Sequence, residues 1–330
     1  MTEGTGGRPP SRRALGVRPG WLAAAAIGLL AGGALVAGVL AASDDAPGDE
    51  TSATISDHHP HAAGTTAEPF SARSAVMGPQ GNVPQFKVEC GWSHSAPDDP
   101  IVHPGRAGRS HRHDFFGNTG TDAASTVASL LGADTTCQNR RDTAAYWAPA
   151  LLLDGQPVTP TGSVAYYRPG PGVDPATVQP YPSGLLAIAG DPTATEPQPL
   201  EVAAWHCGAS PVLHSDPPSC PRTAPLGVRI AFPDCWDGEH LDREDHRSHL
   251  ARSEDGACPD SHPVPVPQLV FEVHYPVTGD PSGLELASGG VRGVHADFMQ
   301  AWDQPTLERE VRACLNGGKV CGVVSNRATG

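Results

Sequence analysis

The sequence predicts a mainly β fold: a sandwich or jelly-roll-like single domain, stapled by disulfides, with one or two peripheral helices, standing after an N-terminal transmembrane helix. Three observations predict it. The 330 residues include 38 Gly and 35 Pro, which interrupt the chain too often for long helices. Many short apolar runs alternate with polar residues, the period-2 signature of a half-buried strand. Eight cysteines all follow one long apolar run near the N-terminus.

That run is residues 21–42. It carries no charge and, as a helix, reaches about 30 Å, enough to cross the hydrocarbon of a bilayer. Arg8, Arg12, Arg13 and Arg18 precede it, and Asp44 and Asp45 follow. The positive-inside rule then makes residues 1–20 a cytoplasmic tail and sends the rest outside. The expectation is an uncleaved signal anchor of a single-pass cell-membrane protein, with its membrane partner engaged through residues 21–42. Secretion after signal cleavage is the competing expectation, because the Leu40-Ala41-Ala42 stretch places small residues at a cut site. Residues 43–83 mix acids with Ser, Thr, Ala, Gly and Pro and have no apolar period, so they are expected to form a disordered acidic linker. His58, His59 and His61 fall in that linker and are read as solvated. Residues 84–324 are the extracytoplasmic β domain, and 325–330 a tail.

In an oxidising compartment an even number of cysteines is expected to pair. No two have the Cys-x-x-Cys spacing of a zinc knuckle or redox site. Short loops favour Cys207–Cys220, Cys235–Cys258 and Cys314–Cys321, which leaves Cys90–Cys137.

Along the domain, strands are expected at Phe86–Cys90, Tyr146–Leu153, Ser163–Tyr167, Leu185–Ala189, Val202–Trp205 and Val294–Phe298. Val228, Ile230 and Phe232 share one strand face. Leu269, Phe271, Val273 and Tyr275 share another, with Val270, Glu272 and His274 opposite. Asp122–Leu131 is expected to be helical from its Ala, Leu and Ser content. Thr306–Leu315 is expected to be helical because Leu307, Val311 and Leu315 form a stripe just after Pro305. Trp92, Trp147, Trp205, Trp236 and Trp302 are read as core anchors.

The net charge of −14 repels phosphate backbones, so no nucleic-acid partner is expected. There is no Gly-x-Ser-x-Gly elbow, Walker loop, His-Glu-x-x-His helix or EF-hand loop. The chemistry that remains is in histidine and aspartate. His111 and His113 point to the same side if the chain is extended. Asp245, His246 and His249 share a face if their segment makes a helical turn. His295 and Asp297 share one strand face. Imidazoles so gathered can act as acids and bases, or hold a metal that activates water, with Asp245 and Asp297 as orienting carboxylates. The metal set expected is His111, His113 and His249, and the ion zinc-like or copper-like.

These segments also carry a resemblance. Asp99 to Val102 with Pro104 and Gly105, Ser110 to His113 running to Gly117 and Asn118, and Cys235 to Gly238 belong to it. So do Leu241, Asp242, Asp245 to His249, Cys258, Pro259, His262, Pro263, Pro267, Gln268, His295 to Asp297 and Trp302. Together they resemble the family catalogued as domain of unknown function nineteen-ninety-six, over roughly Phe86 to Cys314. Members are secreted or surface proteins of bacteria and fungi. The resemblance implies no activity; it turns the partner expectation towards cell-wall or extracellular polysaccharide. The function expected is that of a membrane-anchored extracytoplasmic domain with a His/Asp-rich pocket, either a carbohydrate-active or metal-dependent enzyme, or a non-catalytic module that binds a glycan or a metal.

Overall fold

The computed structural model describes residues 83–323. The anchor expected at 21–42, the tail before it, all but the last residue of the linker and the C-terminal tail lie outside them. Among the described residues no helix is long and apolar enough to cross a membrane.

Among the described residues, most of the regular structure is β. We number the strands of the two main sheets in chain order: β1 Gln85–Cys90, β2 Trp92–Ala96, β3 His113–Gly117, β4 Ala145–Pro149, β5 Gly162–Arg168, β6 Leu186–Gly190, β7 Ala203–Cys207, β8 Leu226–Ala231, β9 Gln268–His274, β10 His295–Met299 and β11 Val320–Val323. The first sheet has the order β11-β1-β5-β9-β8-β7, and the second β2-β3-β4-β10-β6. Every pairing within them is antiparallel except β1 with β11. The run expected as one strand from Tyr146 to Leu153 is split, with Leu151–Leu153 pairing Leu284–Leu286 in a small separate sheet.

Strand alternation does what the sequence asked of it. Leu269, Phe271, Val273 and Tyr275 all enter the main core, as do Val228, Ile230 and Phe232. Phe116 and Tyr146 of the second sheet lie 5.6 and 5.5 Å, by ring centroids, from Phe271 of the first. The two sheets therefore stack face to face, the geometry in which inward side chains of both layers interdigitate. The opposite face of the second sheet has its own apolar cluster. Phe115, Trp147, Ile188 and Met299 pack there beneath Ile101 and Leu130 of the long β2–β3 and β3–β4 connections. That outer face carries the site.

The helices are shorter than expected or differently built. Only Val127–Leu130, α1, is helical in the first segment, with Thr126 and Ser129 forming a capping box. Upstream, the Asp122 carboxylate accepts from the Ala124 amide and the Ser125 hydroxyl, so side-chain bonds to a local turn displace the helix. Gln304–Glu310, α2, starts with Pro305 in its first turn and runs on into a π-turn at Val311–Leu315. The four disulfides are Cys90–Cys137, Cys207–Cys220, Cys235–Cys258 and Cys314–Cys321, the pairing that loop length favours, and no cysteine is free among the described residues.

Candidate functional site

On β3, His113 and Phe115 face outward while Phe116 joins the main core; on β10, His295, Asp297 and Met299 face outward and Phe298 inward. Cross-strand register fixes where they stand. His113 is opposite Pro149, Asp297 is opposite Trp147 and Ile188, and His295 is opposite Gly190. His111, two residues before His113, brings its ring to 4.2 Å from that of His113 and 5.0 Å from that of His295. One ring nitrogen from each of His111, His113 and His295 lies within 4.8 Å of the others.

The backbone decides what each ring offers. The Nδ1–H of His113 donates to the Asp98 carbonyl at 2.9 Å, and that of His295 to the Gly293 carbonyl at 2.8 Å. A carbonyl can only accept, so in each neutral ring Nε2 carries the lone pair. The Nε2 of His295 faces the Nε2 of His111 at 3.1 Å. The Nε2 of His113 is buried with no protein partner. Burial, reinforced by the neighbouring imidazoles, holds the His113 pKa well below its usual value. Burial likewise lowers that of His111 and brings His295 down to about 4. Each shift favours the neutral ring, the state in which imidazole ligates a metal.

Carboxyls adjoin the imidazoles. Asp99, His113 and Asp297 form a second group with ligand atoms within 4.8 Å, so His113 is shared between the two. Asp297 Oδ2 is buried without a partner. Burial pushes the Asp297 carboxyl well up, and the Asp99 charge adds to the shift. Asp99 is also raised by burial, opposed by the Ile101 and Val102 amides that its Oδ1 accepts.

The segment between Cys235 and Cys258 lies along β6. The Leu186 amide donates to the Leu241 carbonyl, His249 Nε2–H to the Leu186 carbonyl, and Arg247 to the Gly190 carbonyl. Arg247 acts electrostatically on both His295 and Asp297. The expected helical turn is absent. The Asp245 carboxylate accepts from the Arg247 and Ser248 amides, and His246 has a φ of +55°. Asp245 thus serves its own turn and does not join the imidazole group. His246 donates Nδ1–H to Asp242 at 2.9 Å, yet stands near enough to bear on the Asp99 charge. His249, expected in the metal set, stands outside this group: its Nε2–H is bonded to the Leu186 carbonyl and its buried Nδ1 has no protein partner, while the three nitrogens brought within 4.8 Å belong to His111, His113 and His295.

Asp99, His103 and Arg247 are missing from the sequence-predicted site. His103 acts electrostatically on His111, His113 and Asp99. Asp99 and His103 sat in the polar segment leading to His111, and their proximity to it was the available signal. A third cluster, Cys90, Cys137 and Asp142, is no ligand set, because both sulfurs are in a disulfide.

A family profile described as "Domain of unknown function (DUF1996)" matches residues 99–302. No curated protein and no solved structure is significantly similar to the chain. The chain belongs to the DUF1996 family.

Proposed function

We propose that this member of a family without an assigned activity is a metal-dependent extracytoplasmic domain. His111, His113 and His295 hold a zinc-like or copper-like ion through their Nε2 atoms, with a further position open to water or substrate. One observation carries the reading: backbone-anchored Nδ1–H groups leave the Nε2 lone pairs of His113 and His295 free, and His111 Nε2 stands 3.1 Å from that of His295. Two nitrogens on one tetrahedral zinc at about 2.0–2.1 Å stand about 3.3 Å apart. Three protein ligands with an open fourth position are the pattern of catalytic rather than structural zinc, and the ion would supply an activated water. Asp297 and Asp99 lie beside His113 to accept a proton or orient the water. The unpartnered Asp297 Oδ2 also supports a second reading, in which that carboxylate closes the coordination shell and the domain binds metal without catalysis.

Equilibrium dialysis of chelator-stripped protein against zinc or copper tests this. One tightly held ion per chain is expected, lost in His113→Ala and His295→Ala and kept when His58, His59 and His61 are replaced together. No uptake by the stripped wild type, or unchanged uptake by the two alanine variants, overturns it.

The same proposal places the domain outside the cell, tethered to the membrane through residues 21–42. The uncharged run and the arginines before it support the anchor, and four disulfides suit an oxidising compartment. Intact-mass measurement of the native protein decides it: the full chain mass is expected, and a mature N-terminus near Ala42 would instead mean secretion.

A further inference from the structure

Trp147, Trp205 and Trp302 are fully buried, as core anchors should be, but Trp92 is 38% exposed. It is the only aromatic among the exposed large hydrophobic side chains of the described residues. It stands on β2, the edge strand of the second sheet, and lines an open groove of about 380 Å³ with Ser93, His94, Thr119, Thr121 and Thr136. That volume lies within the range of small-ligand sites.

The groove is held in shape from behind. The indole Nε1–H donates to Asp114 Oδ1 at 3.2 Å, which fixes the plane of the ring. His94 Nε2–H donates to the Thr121 carbonyl at 2.8 Å, so His94 Nδ1 accepts from the Ser93 hydroxyl at 2.9 Å. Thr136 donates its hydroxyl to the Gly91 carbonyl at 2.6 Å, and Thr119 donates to the Asp134 carbonyl at 3.3 Å. With their protons committed, Ser93 and Thr119 offer oxygen lone pairs to a ligand, while the Thr136 oxygen already accepts from the Gly117 amide. No charged side chain is among the residues that line the groove. An aromatic face beside a set of acceptors, with no ionic group, suits a ligand that is apolar on one face, rich in O–H donors at its rim and uncharged. Pyranose rings with equatorial hydroxyls have that chemistry.

We propose that this groove is a glycan subsite, in which one ring of a neutral polysaccharide stacks on Trp92 and hydrogen-bonds to the Ser93 and Thr119 hydroxyls. This goes beyond the metal reading and stands without it. The His94 ring stacks on Phe115 at 4.8 Å, and Phe115 meets His113 at 6.2 Å by ring centroids, so one side chain separates the groove wall from the imidazole cluster.

The test uses the full-length protein in a non-sugar detergent, titrated calorimetrically and by tryptophan fluorescence with cellohexaose, xylohexaose and chitohexaose, before and after chelation. At least one is expected to bind saturably and to perturb the fluorescence, with chelation leaving binding in place. Trp92→Ala should weaken binding by about two- to tenfold, and Trp92→Phe should recover part of it, because stacking contributes on the order of one aromatic pair. An unchanged melting temperature in Trp92→Ala shows that the loss is not unfolding. His295→Ala should bind the oligosaccharide as wild type does, which keeps failure of the metal reading separate. Absence of binding by all three oligosaccharides, equal binding by Trp92→Ala, or stronger binding of polygalacturonate than of any neutral oligomer would overturn the proposal.

Discussion

His111 and His295 face one another Nε2 to Nε2 at 3.1 Å, although 184 positions separate them in the chain. The closeness depends on register at the end of β10, where His295 lies opposite Gly190. Gly190 has a φ of +80°, and a Cβ there would overlap the Val294 carbonyl and stand 2.8 Å from His295 Cα. Gly190→Ala should therefore displace the strand end that carries His295. Loss of both stability and metal uptake is expected, by thermal melting and dialysis; wild-type uptake would show that the site does not need this register.

His249 gives the contrasting case. It is buried and donates to the Leu186 carbonyl, so His249→Ala leaves that acceptor unpaired. A loss of about 1–3 kcal/mol in urea unfolding is expected, with metal stoichiometry unchanged. Loss of the ion with no loss of stability would restore His249 to the ligand set.

Asp142 sets a pH dependence away from the imidazoles. Burial raises its carboxyl to about 8, opposed by bonds from the Tyr146 hydroxyl and the Ala144 amide. The folded protein then keeps a proton that the unfolded chain releases near pH 4. This contribution is fully present below the unfolded pKa and is lost as pH rises through the folded value, so it declines between about pH 4 and 8. Asp142→Asn should flatten that decline in denaturant titrations at several pH values. An identical slope in the variant would show that Asp142 is not its source.

The Cys235–Cys258 bridge closes the segment that lies along β6 and carries Arg247 towards His295. Replacing both cysteines by serine is expected to remove about 2–4 kcal/mol of stability. It should also weaken protection of the Leu186 amide, bonded to Leu241, in hydrogen exchange. Unchanged exchange at Leu186 would mean that the segment is held without the bridge.

Local spacing made part of this legible. Two-residue spacing placed His111 beside His113 and His295 on the face of Asp297, and short loops pointed to the disulfide pairs. Alternation alone separated Phe271 from Glu272. The reading failed where a period had to be assumed. Asp245, His246 and His249 fit a helical face, but carboxylate bonds from Asp245 to the amides that follow make a turn. That His295, and not His249, joins His111 and His113 depends on β10 being separated from β3 by β4 alone, and pairing order is not written in either strand. The exposure of Trp92 is likewise set by its place on an edge strand, where its neighbours in sequence resemble those of any core tryptophan.

The most direct measurement is anomalous diffraction from crystals of the protein loaded with zinc, collected on both sides of the zinc edge. A single strong peak is predicted, about 2.0–2.2 Å from the Nε2 atoms of His111, His113 and His295. Peaks only at surface residues, or a peak ligated by His246 or His249 with the His111–His295 contact still in place, would contradict the assignment of these three histidines as a metal centre.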